Sequence, residues 1–183
     1  MRQRIFILLG LGGLALVVAA VAIAGTVTAT ATITGAGSLS LSHGATATIS
    51  DTLDGTDQTA NYTLPLTIND LRGSGAGWNL TMTSTSFNDG AGHTLATTAS
   101  SLASSTSACT GGGTCTNPTN SITYPLTVPA AASAPAAVKV FNAAATSGMG
   151  RFIVTPSINV SIPGNTYAGA YTSTLTIAAV SGP

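Results

Sequence analysis

The chain has 183 residues and no net formal charge; only 5% of its residues are charged and 44% are hydrophobic. Ordinary globular domains carry about 25% charged residues, so this surface has to be wetted by Thr, Ser and Asn. Setting aside Arg2 and Arg4 leaves Arg72, Lys139 and Arg151 against Asp51, Asp54, Asp57, Asp70 and Asp89, a formal +3 − 5 = −2, and three scattered cations do not make a phosphate-binding surface, which excludes nucleic acid as a partner.

The N-terminus reads as an export segment. Met1-Arg2-Gln3-Arg4 is basic, Ile5 to Ala24 is an uncharged run, and Ala22-Ile23-Ala24 before Gly25 has the small-x-small form of a cleavage site. Residues 1–24 are therefore expected to be a signal peptide for Sec export, cut after Ala24. The alternative is an uncleaved anchor, because about 20 apolar residues suffice to span a bilayer. Either way residues 25–183 are exported, and the N-terminal segment is the one expected contact with a membrane. The chain ends at Pro183 without a sorting motif or hydrophobic tail, so retention at the surface is expected to come from binding, assembly or the leader.

From Gly25 onward apolar residues alternate and do not recur at helical spacing. Val27, Ala29, Ala31 and Ile33 alternate with Thr26, Thr28, Thr30 and Thr32, which predicts a half-buried strand, continued by Leu39 and Leu41. From Asn61 to Asp70, the residues Tyr62, Leu64, Leu66, Ile68 and Asp70 share a side, with Pro65 marking an edge or bulge. After a turn at Gly73, Gly75 and Gly77, Trp78, Leu80 and Met82 line one face of a strand that exits at Asn88-Asp89-Gly90. Residues 91–120 are poor in large apolar groups and predict weak strands and loop. Strands follow at Ser121–Val128 and Ala137–Ala143. The clearest is Phe152, Val154, Pro156, Ile158, Val160 and Ile162, and after Pro163-Gly164-Asn165 a last strand falls around Tyr171, Leu175 and Ile177. About eight to ten short alternating strands predict an all-β chain, a single β-sandwich over residues 25–183.

Cys109 and Cys115 flank Thr-Gly-Gly-Gly-Thr, and in an exported chain they predict a small loop disulfide; two Cys without nearby His fall short of a structural zinc site. His43 and His93 sit in Gly-flanked polar turns and read as loop residues, with no nucleophile and base in a shared motif. Asp51, Asp54 and Asp57 offer oxygen ligands, but their spacing is not the calcium-loop pattern, so calcium is a weak candidate and no cofactor is expected. The chain is not expected to be an enzyme.

Two stretches resemble the WxL domain, a module with which surface proteins bind the cell wall without a covalent link. Asn69-Asp70-Leu71-Arg72-Gly73 through Gly77-Trp78-Asn79-Leu80 is similar to that family's Asp-x-Arg-Gly followed by Gly-Trp-x-Leu. Gly148-Met149-Gly150, running through Ile162-Pro163, Tyr167 and Tyr171 to Leu175-Thr176-Ile177 and Gly182-Pro183, resembles its C-terminal end. The family's second Trp-x-Leu has no tryptophan here; Leu175-Thr176-Ile177 or the residues just after it stand in its place. The resemblance implies a non-catalytic bacterial surface protein that binds peptidoglycan or another wall glycan, with Trp78, Asp70, Arg72 and Asn79 as the candidate contact residues. In a strand Asp70 and Arg72 would share a face and form an ion pair, and Trp78 is either a sugar platform or a core residue. The other expectation is a structural subunit of a surface layer or fibre, in which the Thr26–Thr34 segment adds as a strand to another copy.

Overall fold

The computed structural model describes residues 28–44 and 46–183; the expected leader at 1–24, and Thr26 and Val27 of the first expected strand, lie outside them. The body from Thr34 to Pro183 is all-β, with ten strands and no helix among the described residues. A six-stranded sheet has the order β1 (Leu39–His43), β3 (Leu66–Asp70), β9 (Gly150–Ile162), β5 (Ser100–Cys109), β6 (Leu126–Thr127), with β2 (Gln58–Thr63) also paired to β9. Facing it, β10 (Leu175–Ser181), β4 (Trp78–Thr85) and β7 (Ala130–Ala131) form a second sheet, with β8 (Val138–Ala143) paired to β4. This is the expected sandwich.

The spine is β9, whose thirteen residues alternate as predicted: Phe152, Val154, Ile158 and Val160 are fully buried. One side of it pairs with β3 along Gly150–Val154 and with β2 along Ser157–Ile162. The expected continuous strand from Asn61 to Asp70 is therefore two strands. Pro65 has no N–H to give the ladder, so the chain breaks there while Leu64 still donates its N–H to the Pro156 carbonyl at 3.0 Å. Across the sandwich, Trp78, Leu80 and Met82 of β4 pack into the same core as Leu66, Ile68 and Phe152. Each such side chain is worth about 1.5–3 kcal/mol when fully buried.

Other expectations need correction, and of the strand expected at Ser121–Val128 only Leu126–Thr127 forms one. Residues 28–33 form no strand and are exposed, Ile33 to 94%; alternation gives a segment two faces, but it becomes a strand only when a neighbouring edge takes up its N–H and C=O groups. The region 91–120, expected to be weak, contains β5, a ten-residue strand hydrogen-bonded to β9 along most of its length. Only Leu102 among its residues is a large buried apolar group, and the pairing with β9 holds a strand that has little hydrophobic signal of its own.

Candidate functional site

The first resemblance motif sits at one end of the sandwich. Asp70 closes β3 and the chain turns at Leu71, so Arg72 reaches back past the strand end instead of standing beside Asp70 on a face. The expected ion pair forms all the same: Arg72 Nε donates to Asp70 Oδ1 at 2.8 Å and Nη2 to Oδ2 at 2.9 Å. Nη2 also donates to the Gly77 carbonyl at 2.7 Å, and Nη1 to the Ser181 hydroxyl. One guanidinium thus ties the end of β3 to the start of β4 and the end of β10. The Asp70 side chain is 1% exposed and that of Arg72 17%. Hydrogen bonding from Arg72 holds the Asp70 carboxyl below its ordinary range, against the opposing effect of burial.

Trp78 is fully buried. Its ring stacks on Phe141 and tilts against Phe152, with centroids 5.8 and 6.2 Å away, and its Nε1 donates to the Gly148 carbonyl at 2.8 Å. The two stretches that carried the resemblance therefore meet at this bond. Gly148 has φ +67°, and a Cβ there would fall on Ala143 and 2.7 Å from Trp78 Nε1, so glycine is what lets that carbonyl approach the indole. Asn79 is 8% exposed and donates to the Gly182 carbonyl at 2.8 Å. In this conformation Trp78 has no surface to offer a polymer, and the four residues together act as a clasp between the sheets.

The disulfide expected between Cys109 and Cys115 is present, with Cα atoms 6.1 Å apart. It closes a loop beside the same end, where Thr110 N–H donates to the Arg151 carbonyl and Thr116 N–H to the Met149 carbonyl. Asp51, Asp54 and Asp57 do not converge. Asp51 accepts from Thr52 N–H, Asp54 from the N–H and hydroxyl of Thr56, and Asp57 from Gly164 N–H at 2.9 Å. Hydrogen bonding from Thr56 lowers the Asp54 pKa. Among the described residues no three His, Cys or Asp side chains gather as metal ligands.

The opposite end of the sandwich is built differently. Asp89, in the expected Asn88-Asp89-Gly90 turn, accepts the N–H groups of Ala91 and His93 at 2.8 and 2.9 Å and the Nδ1 of His93. The histidine hydrogen bond is the main reason the Asp89 carboxyl is held down at about 2. So fixed, the His93 ring stacks on Tyr167, centroids 3.9 Å apart and planes within 16°. Tyr167 is 65% exposed, and its carbonyl accepts the Tyr171 hydroxyl at 3.0 Å. Tyr171 in turn packs on a small core of Leu95, Ala99 and Val160 with Phe87 and Tyr62. The result is an aromatic platform on a buried footing. Its members come from loops about 75 residues apart in sequence; the turn at Asp89 and the two tyrosines of the C-terminal stretch were legible, whereas their meeting with His93 was not. The His43 ring bonds to the Gly44 carbonyl.

Between the sheets at this end lies a cleft of about 490 Å³. Tyr62, Leu64, Phe87, Val128, Ile158, Leu175 and Ile177 line it, with Thr46 to Ile49 and Thr172 to Thr174 at its sides. Burial pushes the Tyr62 hydroxyl pKa up.

A family model described as WxL domain surface cell wall-binding matches residues 25–181. No curated protein and no solved structure gives a significant match. No helix among the described residues is long and apolar enough to cross a membrane.

Proposed function

Because the chain belongs to the WxL domain family of surface cell-wall-binding proteins, we propose that it is a non-catalytic surface protein that holds peptidoglycan or another wall glycan through the aromatic end of the sandwich. Residues 1–24 direct export, and no metal or cofactor takes part. The observation that carries this reading is the Tyr167–His93 stack: a rigid, exposed aromatic face pinned from behind by Asp89 and Tyr171. Sugar rings present C–H faces that pack on such a surface, while their hydroxyls take hydrogen bonds from Thr and Asn around it. The low charge fits a neutral glycan better than a polyphosphate, which would need clustered cations.

Co-sedimentation of the full chain with purified cell walls tests the reading. Tyr167→Ala is expected to weaken binding at least about tenfold, the equivalent of ~1.4 kcal/mol, while its melting temperature stays near that of the native chain because the ring is mostly solvated. Raising the salt should leave native binding almost unchanged, since little charge is involved. Native binding by a folded Tyr167→Ala, or binding abolished by salt, would sink this site.

A further inference from the structure

We propose that copies of this chain join by strand addition: residues Thr28–Thr34 of one copy pair with the free edge of β10 in the next and turn Ala29, Ala31 and Ile33 into the cleft between its sheets.

The acceptor is visible in the fold. Strand β10 is the last strand of its sheet, bonded to β4 on one side; among the described residues no strand hydrogen-bonds to its other edge, although β1 of the facing sheet comes close to it. Natural edges are usually defended by Lys, Pro, a bulge or an inward-pointing charge. Leu175-Thr176-Ile177-Ala178-Ala179-Val180-Ser181 carries no charge and no proline, pairs with β4 without a register shift, and leaves Val180 45% exposed. Beneath that edge lies the cleft, where Leu175, Ile177, Leu64 and Ile158 make an apolar wall. An added strand places every second side chain toward such a wall, because side chains alternate between faces.

The donor is in the same chain. Thr28 to Thr34 has the strict two-residue alternation of a strand with one apolar face, yet in the single chain residues 28–33 belong to no sheet and Ile33 is 94% exposed. A large β-branched apolar side chain left in water beside four threonines of high strand propensity is a strand lacking its partner. Its apolar face is narrow, two alanines and one isoleucine, which suits a slot between two sheets. A second copy accounts for the orphan segment and the bare edge together. The cleft adjoins the proposed glycan platform and shares Tyr171 with it, but neither Tyr167 nor His93 lines it, so substitutions at Tyr167 and at Ile33 probe different contacts.

The test is sedimentation velocity of the full chain across a range of concentrations, in mild detergent so that the apolar N-terminus does not itself drive association. The native chain should form a ladder of species, and Ile33→Asp should raise the concentration needed for assembly at least about tenfold with an unchanged melting temperature, because Ile33 makes no buried contact to lose. Thr32→Asp puts the same charge on the opposite face and should still assemble. In the native assembly, hydrogen exchange should slow along Leu175–Ser181. A native chain that stays monomeric, equal effects of the two aspartates, or protection confined to other strands would overturn the proposal. Wall binding lost in Tyr167→Ala with assembly intact, or the reverse in Ile33→Asp, reports on the two proposals separately.

Discussion

Trp78→Ala is expected to remove roughly 3–5 kcal/mol of stability, the usual cost of truncating a large aromatic residue in a close-packed core. Total stabilities of single domains are about 5–15 kcal/mol, so this variant would lose a large share of its margin and melt well below the native chain. The ring is fully buried between Phe141 and Phe152, and its loss also strands the Gly148 carbonyl that accepts its N–H. Any failure of this variant to reach or hold the wall would then follow from unfolding. Trp78→Phe separates the parts: it keeps most of the packing, leaves the carbonyl unpaired at a cost of about 1–3 kcal/mol, and should bind walls normally below its lowered melting temperature. Chemical denaturation of the three proteins beside wall co-sedimentation checks this. A Trp78→Ala that melts like the native chain but no longer binds would return Trp78 to the role of a contact residue.

The contrast between Trp78 and Tyr167 shows where sequence reading has force. Alternation identified β4 and β9 because each carries bulky apolar residues on every second position, and burial of those residues is what makes the strands. The same rule misjudged both ends of the scale. Residues 28–33 alternate yet pair with no strand among the described residues, whereas β5 has a partner on each side but only Leu102 to announce it. Pairing is a property of two segments, and no local pattern contains it. The site behaves likewise. The Asp70–Arg72 ion pair was legible because it forms within three residues, although the chain turns between them; the platform of His93 on Tyr167 was not, since it exists only once two distant loops meet at one end of the sandwich.

Asp70→Asn is expected to cost about 3 kcal/mol, the lower part of the range for breaking a buried ion pair by removing one partner. The lower part applies because Arg72 keeps some contact with water, at 17% exposure. An asparagine cannot return two charged hydrogen bonds to the guanidinium, and Arg72 also holds Gly77 and Ser181, so β3, β4 and β10 lose their common tie. The effect has a defined pH dependence. Arg72 lowers the folded-state pKa of Asp70 below the ordinary 3.8, so the folded form binds the proton less readily than the unfolded chain does. The ion pair's contribution is therefore complete above pH 3.8 and is lost as the pH falls through the lowered value. Native and Asp70→Asn proteins should differ most at neutral pH, and their melting temperatures should converge as the solution is made more acidic than that. Arg72→Met, which leaves a buried carboxylate without its cation, should be at least as unstable at neutral pH and should gain relative to the native protein on acidification, when Asp70 takes up a proton. Melting curves of the three proteins that run parallel across the acid range would mean that this ion pair does not hold the sheets together.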